Sequence, residues 1–553
     1  MKLKNYFLLM ALGLGMTFGL SSCSDDDDPT SSTAQDVTSA YTVYVTVDFS
    51  DTSYLITYPS ESLSIVYVSA TSDNMVNVLW SGSDYYCSFG GATVTETSSG
   101  TYSISGTGTF CLDGSYDGVD DYDATLTGTI SDGSSSFVIT ASSCKGGTTI
   151  TMTEGTAPTS YSAYGTYSGY TEVEFAYTSN PYGYIDQSVI VGVNKSNTSL
   201  VDVIYSNDVW GDYEVTGASL TASSSGVYTI SGSGTATMAS HSGGTNDYDC
   251  TLSGSVGESG QTLVFSMPSV MGGTTITFTQ SSSNPAAYVI GTVNTEDLED
   301  NPIEGSTVAV FSYGTLVYEN EATVSVTPTS ASTVDVTFTS ETWGTATFTD
   351  VDASSYSLSA EGTIEMTSHS GDTSSYSATL AASFDSEGKL EELTVTAPGV
   401  MGGTVITFYE ELPAAYAVTG TYTGTLAVEM SSVQIGSVES QSLTITGTDE
   451  DEIELSLAEF TISVEALGGE FTVGSIDITG IDITQEEEDG PYTISNDDVE
   501  TTVEYGAGGY TMTGNVTGTL TGTITISEEK TKISLSLDLL FDESISLVAT
   551  FTL

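Results

Sequence analysis

The chain repeats itself, and that repetition limits how its strands can be closed. A glycine pair followed by an alternating segment occurs three times. The copies are Cys144-Lys145-Gly146-Gly147-Thr148-Thr149-Ile150-Thr151-Met152, Val270-Met271-Gly272-Gly273-Thr274-Thr275-Ile276-Thr277-Phe278 and Val400-Met401-Gly402-Gly403-Thr404-Val405-Ile406-Thr407-Phe408. Their glycine pairs stand 126 and then 130 residues apart. Tyr102 and Tyr122, Tyr228 and Tyr248, and Tyr356 and Tyr376 recur in step, each pair 20 residues apart. A period of this size is a domain length, so each copy is expected to bury its own core.

The local chemistry inside each copy is that of strands and tight turns. Gly, Thr, Ser, Tyr and Val dominate, and aromatics make up 10% of the chain. Segments such as Val201-Asp202-Val203-Ile204-Tyr205 and Val334-Asp335-Val336-Thr337-Phe338 alternate with the period of a half-buried strand. Glycine tolerates positive φ, so the Gly-Gly pairs suit hairpin turns. The fold class is therefore all-β: tandem antiparallel up-and-down β-barrels or β-sandwiches, with about eight strands per module.

Four modules are expected, at residues 41–155, 161–280, 286–410 and 414–553. Each is read as starting at an Ala-Tyr, namely Tyr41, Tyr164, Tyr288 and Tyr416, with Pro285 and Pro413 in short linkers. The fourth lacks the Gly-Gly hairpin and carries an acidic insertion, Glu486-Glu487-Glu488-Asp489, so it is a divergent terminal copy.

The N-terminus reads as an address. Lys2 and Lys4 precede an apolar stretch from Tyr6 to Leu20, the pattern of a signal peptide spanning residues 1–22. Leu20-Ser21-Ser22-Cys23 resembles a lipobox, which implies cleavage before Cys23 and acylation of its thiol and new amine. Residues 23–40 then form an acylated, acidic tether. Each buried methylene of an acyl chain contributes roughly 0.8 kcal/mol, so two or three chains hold a protein on a bilayer. The run Ser24-Asp25-Asp26-Asp27-Asp28 resembles the signal that sends some Gram-negative lipoproteins to the outer face of the outer membrane. The expected location is the cell outer membrane, lipid-anchored and facing the extracellular side.

The opening Gly165-Thr166-Tyr167-Ser168-Gly169 and Gly420-Thr421-Tyr422-Thr423-Gly424, with the closing Gly273-Thr274-Thr275-Ile276-Thr277-Phe278, resemble the calycin-like (lipocalin-like) domains of Gram-negative surface lipoproteins. The resemblance covers nearly the whole mature chain. It implies eight-stranded barrels with room for an internal pocket, and it supplies no catalytic residues. The early Gly-x-Trp of lipocalins proper is not present. A competing architecture is one large transmembrane β-barrel, which shares the Gly, Tyr, Thr and Asp composition.

Charge narrows the partners. The chain has 73 acidic residues against seven lysines and no arginine, and two of the lysines lie in the signal peptide. Nucleic acid is excluded, because neutralising phosphates needs Lys or Arg. Arginine forks for anionic substrates are missing as well. The partners left are the bilayer through Cys23, neutral ligands, cations and basic proteins.

Candidate sites follow from the repeat. Trp210 and Trp343 occupy one equivalent position after a turn, where the first module has Tyr85. A flat ring at a barrel mouth could stack on a glycan or small apolar ligand, or simply cap the core. Trp80 falls inside an alternating strand and reads as core. His241 and His369 are equivalent, but one histidine per module is too few for an ordinary zinc site or a triad. Asp113, Asp117, Asp120, Asp121 and Asp123 suit weak Ca²⁺ binding at the surface, since their spacing is not that of an EF-hand. Cys87 and Cys111 replace polar residues of the other copies (Asp212 and Thr345; Thr237 and Glu365) and are expected to form a disulfide on the outer face of the first module. Cys144 and Cys250 replace Val or Ala and read as core. No cofactor is expected. The expected function is a non-enzymatic binding or interaction protein. The alternatives are a carboxylate-dependent glycosidase acting through the fourth module, and a structural spacer with no ligand.

Overall fold

The computed structural model describes residues 32–553 except 59–63, 83–84, 115–117, 224–225, 240–243, 294–301, 368–370, 432, 465–468, 486–489, 508–509, 527–530 and 542–544. The lipobox with Cys23, the aspartate run, His241, His369, Asp117 and the insertion 486–489 lie outside the described residues.

Four closed antiparallel barrels, each of eight strands, follow one another along the chain. The first runs from strand Ser39–Phe49 to strand Thr148–Glu154 and closes where Val47 pairs with Ile150. The second runs from Gly165–Phe175 to Thr274–Gln280 and closes through Val173 and Ile276. The third runs from Ile303–Phe311 to Thr404–Tyr409, closed by Ala309 and Ile406. The fourth runs from Gly420–Met430 to Ile545–Thr552, closed by Val428 and Ala549. Each set of strands returns to its own first strand. The architecture is thus neither a sandwich nor one large barrel.

The divergence of the fourth barrel has a definite form. A hairpin, Phe460–Val464 and Gly469–Val473, is inserted between Glu452–Leu457 and Ile476–Gln485. Those two strands still pair directly, Leu455 opposite Ile478, so the insertion does not break the barrel.

Alternation explains why these segments become barrel strands. Met75–Ser81 and Thr262–Met267 bury every second residue, which sends one face inward and the other to solvent. The inward faces meet and fill the barrels. Phe49, Trp80, Phe89, Phe110 and Phe137 are all essentially buried in the first. In the second, the rings of Tyr205, Tyr213 and Phe265 lie 5.5 to 5.6 Å apart, centroid to centroid. Phe338, Phe348, Leu380 and Phe408 belong to one buried cluster in the third. The fourth is richer in aliphatic residues, and among Leu426, Leu443, Leu455, Leu520, Leu537 and Phe551 a gap of about 20 Å³ remains. That is room for about one water, and the lining offers it no polar partner. Burying each large side chain contributes roughly 1.5–3 kcal/mol, so these cores hold the modules together.

The repeated Gly-Gly segment is the hairpin joining the seventh and eighth strands. In the first three barrels the residue before the glycines is left-handed: Lys145 at φ 44°, Met271 at 46° and Met401 at 47°. The first glycine is left-handed as well, and the N–H of the second donates to the carbonyl three residues back at 2.8 Å. Two left-handed central residues make a type I′ turn, whose twist matches that of the strands it joins. Thr148, Thr274 and Thr404 each donate a hydroxyl hydrogen bond at 3.0 Å to the carbonyl four residues back. The motif is therefore structural in all three copies.

Short helices precede the barrels: Thr33–Asp36, Thr159–Ala163, Ala286–Val293 and Ala414–Ala417. The first of these corrects the expected tether. From Ser32 onward the chain is folded, with Ala34 N–H donating to the Asp73 carbonyl and Val37 fully buried. The helices also correct the starting tyrosines. Tyr161, Tyr288 and Tyr416 are the equivalent set, each donating its N–H to the carbonyl of a proline three residues back (Pro158, Pro285, Pro413). Tyr41 belongs with Tyr167 and Tyr422, whose phenols donate to the carbonyls of Val37, Ala163 and Val418 respectively. The Ala-Tyr dipeptide recurs in both contexts, which made Tyr164 look equivalent.

Candidate functional site

Up-and-down topology puts the hairpins joining strands one to two, three to four, five to six and seven to eight at a single end of each barrel. The aromatic residues singled out by the repeat gather there. In the first barrel Tyr85 stacks on Phe110 at 5.9 Å and meets Tyr58 edge-on at 5.7 Å. Tyr58 in turn meets Trp80 at 5.6 Å.

The two equivalent tryptophans are held by their turns. In the second barrel the Asn207 side-chain oxygen accepts from the N–H groups of Val209 and Trp210 at 3.0 and 2.9 Å, and Tyr213 donates its phenol to the Trp210 carbonyl. In the third, Ser340 takes the place of Asn207. Its hydroxyl accepts from Trp343 N–H at 2.8 Å and donates to the Glu321 carboxylate, which also accepts from Thr342 N–H. Short polar side chains that bond the backbone two or three residues on are what such a turn needs. Trp210 is 9% exposed and Trp343 3%. Trp343 packs against Phe311 and Tyr318, with centroids 6.4 and 6.0 Å away. In this arrangement both rings cap the core, and stacking on a sugar would require the turn to open. The indole N–H groups of Trp80 and Trp343 are buried without an acceptor among the described residues.

Cys87 and Cys111 do not form the expected disulfide; both are free thiols. Cys87 lies opposite Trp80 and Phe110 and faces inward, 1% exposed, whereas Cys111 lies opposite Tyr86 and Asp121 on the outer face. The reason is a hairpin one residue shorter than in the other barrels. Trp80 pairs with Cys87 where Tyr205 pairs with Tyr213 and Phe338 with Ala346. A slip of one residue turns a side chain to the other face, so Cys87 matches Tyr213 and Ala346 rather than Asp212 and Thr345. Cys111 donates to Asp121 at 2.7 Å, as Thr237 donates to Asp247 at 2.9 Å in the second barrel. Burial, then the Asp121 carboxylate, pushes the Cys111 thiol up to about 12. Cys144 and Cys250 are buried, as are Val270, Val400, Ala124 and Ala378 at their equivalents. Among the described residues no group of three or more His, Cys, Asp or Glu is placed to hold a metal ion.

One feature of this end escaped the sequence. The turn after the first strand of the first barrel receives a lysine from the second barrel. Lys195 Nζ lies 2.6 Å from Asp48 Oδ1 and donates to the carbonyls of Phe49 at 3.3 Å and Thr52 at 2.5 Å. Beside it, Leu55 N–H donates to the Val193 carbonyl, and Tyr54 covers Gly192 so closely that a Cβ there would stand 2.4 Å from the Tyr54 side chain. Having only five lysines after the signal peptide could have drawn attention to Lys195, but its partners are 147 residues and fewer away with no motif between them.

Residues 164–280 and 418–552 match the family model of the calycin-like β-barrel domain. The chain's second and fourth barrels are calycin-like β-barrel domains. The first and third barrels share the closed topology of the two calycin-like segments that match directly. Among solved structures, a Bacteroides fragilis protein provisionally assigned to the outer membrane is 23% identical, over 49% of this chain and 99% of that one, with a TM-score of 0.33. A mutant of transferrin binding protein B, a vaccine antigen from Haemophilus parasuis, is 11% identical over 96% of this chain and 98% of that one, with a TM-score of 0.15. Neither likeness is close enough to carry a function across. No curated protein matches the sequence.

Proposed function

We propose that this calycin-like protein is a lipid-anchored, outward-facing protein of the outer membrane that acts by binding through its surface rather than by catalysis. The observation that carries the binding reading is the filling of the barrels. Among the described residues, side chains from the strands meet in the interiors, as with Tyr205, Tyr213 and Phe265, which favours contact outside the barrels over an internal ligand of lipocalin type. Contact with a partner then falls to the turns and outer faces. The acyl anchor on Cys23 would hold those surfaces outside the cell.

The experiment has two parts. Palmitate labelling that disappears in Cys23→Ala, together with protease sensitivity on intact cells, tests the anchor and its orientation; an unlabelled or shielded protein overturns it. Glycan-array binding and glycoside turnover by the purified chain test binding against catalysis. Turnover would replace the reading with the carboxylate-dependent glycosidase. The filled interiors also favour a second reading, a spacer with no ligand of its own, and an absence of any partner in these assays would select it.

A further inference from the structure

The lysine-receiving turn of the first barrel is built a second time in the second barrel. Asp48, Phe49 and Thr52 correspond to Glu174, Phe175 and Thr178, one repeat period later. The backbone geometry is the same. Thr52 donates its N–H and hydroxyl to the Phe49 carbonyl at 3.2 and 3.1 Å, and Thr178 does so to the Phe175 carbonyl at 3.0 and 2.9 Å. The first strand is in the same register against the eighth: Asp48 pairs with Thr149 and Glu174 with Thr275. The carboxylate and the two carbonyls that hold Lys195 thus have counterparts in Glu174 and the carbonyls of Phe175 and Thr178.

The two copies differ in what fills them. The turn of the second barrel that projects to the first carries Lys195. The corresponding segment of the third barrel, Pro328-Thr329-Ser330-Ala331-Ser332-Thr333, has no lysine. Glu174 is exposed and has no ion pair among the described residues. Tyr177, three residues on, is 81% exposed and Tyr182 51%, and Phe175 and Tyr182 stack at 5.9 Å. A carboxylate and exposed aromatic rings carried on one turn suit an ammonium group on an aliphatic stem, which can pack its methylenes on a ring and turn its charge to the oxygens.

We propose that Glu174, with the carbonyls of Phe175 and Thr178, is a receptor for a lysine side chain of a basic partner protein. The strongly acidic balance of the chain favours such a partner at long range, and the turn gives it a specific seat. The inference rests on the surface-binding reading above. It is tested in solution on the purified mature chain, so it can fail while the anchor and its orientation stand.

The probe is a fluorescent 16-residue peptide of alternating lysine and serine, followed by anisotropy at 0.15 M salt. Glu174→Gln should weaken binding at least tenfold, whereas Glu361→Gln, an equal change of charge elsewhere, should leave it within twofold. Zero-length carbodiimide coupling should join the peptide's lysines to Glu174 ahead of other carboxylates. Equal binding by wild type, Glu174→Gln and Glu361→Gln would mean general attraction to an acidic surface and would overturn the proposal, as would no binding by the wild type. Circular dichroism of each variant confirms that the barrels remain folded.

Discussion

The phenol of Tyr288, in the helix preceding the third barrel, donates a hydrogen bond of 2.6 Å to Glu172 Oε1 on the first strand of the second barrel. Tyr161 holds the matching position one barrel earlier, where its ring meets Tyr44 edge-on at 5.2 Å. Tyr416 meets Tyr409 at 5.9 Å one barrel later. The Pro-x-x-Tyr helix is thus a recurrent link from one barrel to its predecessor. Its proline fixes the entry to the helix, and its tyrosine supplies a rigid ring with a polar tip.

This link should make the chain sensitive to alkali. Burial, and then the hydrogen bond to Glu172, raise the Tyr288 phenol well above its ordinary value. Burial likewise pushes Tyr161 and Tyr167 up to about 12. A raised folded value means that the native state keeps a proton the unfolded chain releases. The resulting stability is complete below a pH of about 10 and is lost as the pH climbs through the folded values. Absorbance at 295 nm and far-ultraviolet circular dichroism should therefore show buried phenols ionising together with a loss of β structure, between a pH of about 10 and 12. Tyr288→Phe removes a charge-assisted bond and should cost about 1.5 kcal/mol. Early, graded ionisation of all phenols with the fold intact would contradict the prediction.

The left-handed turn residues offer a gain in stability. Met271 and Met401 sit at φ 46° and 47°, a conformation that costs a non-glycine residue about 1 kcal/mol. Both side chains are nearly half exposed, so shortening them leaves no buried cavity. Met401→Gly should raise the unfolding temperature of its module by a few degrees in scanning calorimetry, with Met271→Gly acting alike; an unchanged or lower transition would count against turn strain as the reason.

These turns also show what could be read in advance. The period, the all-β class and the hairpin role of Gly-Gly are legible because glycine pairs and alternation are local signals, whereas barrel and sandwich share the same alternation and the pattern does not choose between them. The pairing of Cys87 was not, since it depends on a hairpin shorter by one residue, and one residue decides which face a side chain takes. The true starting tyrosines were obscured for a related reason: Tyr161 and Tyr164 both follow small residues, and only the bond to Pro158 separates them. The sequence does not decide burial of Trp210 and Trp343, because a mouth residue looks the same in sequence whether its turn folds over the core or away from it. The Asp48 to Lys195 contact crosses two barrels and left no local trace.

The thiols give a direct chemical check. Alkylation under denaturing, non-reducing conditions should label Cys87, Cys111, Cys144 and Cys250 in full, since none of the four is in a disulfide. In the native protein Cys87, Cys144 and Cys250 should react slowly because they are buried, and Cys111 slowly because so little of it is thiolate at neutral pH. Cys111→Thr reproduces the donor that Thr237 offers to Asp247 and should change stability by less than about 0.5 kcal/mol. Two protected thiols in the denatured sample would restore the disulfide.

Lys195 tests the junction between the first two barrels. Its Nζ is shared by Asp48 and two carbonyls, but both charged side chains are partly exposed, at 30% and 42%, so solvent screens the ion pair. Lys195→Met keeps most of the stem and removes the charge, and should cost about 1 kcal/mol or less in global stability. Its larger effect should be local. Hydrogen exchange at Leu55 N–H, which donates to Val193, should speed up as the charged clamp is lost. Gly192→Ala should speed it further, because a Cβ at that position would stand 2.4 Å from Tyr54 and push the loop off the strand. Raising the salt concentration should reproduce part of the Lys195→Met effect and none of the Gly192→Ala effect, since one contact is electrostatic and the other steric. Unchanged exchange in both variants would mean that the two barrels are held by something other than this clamp.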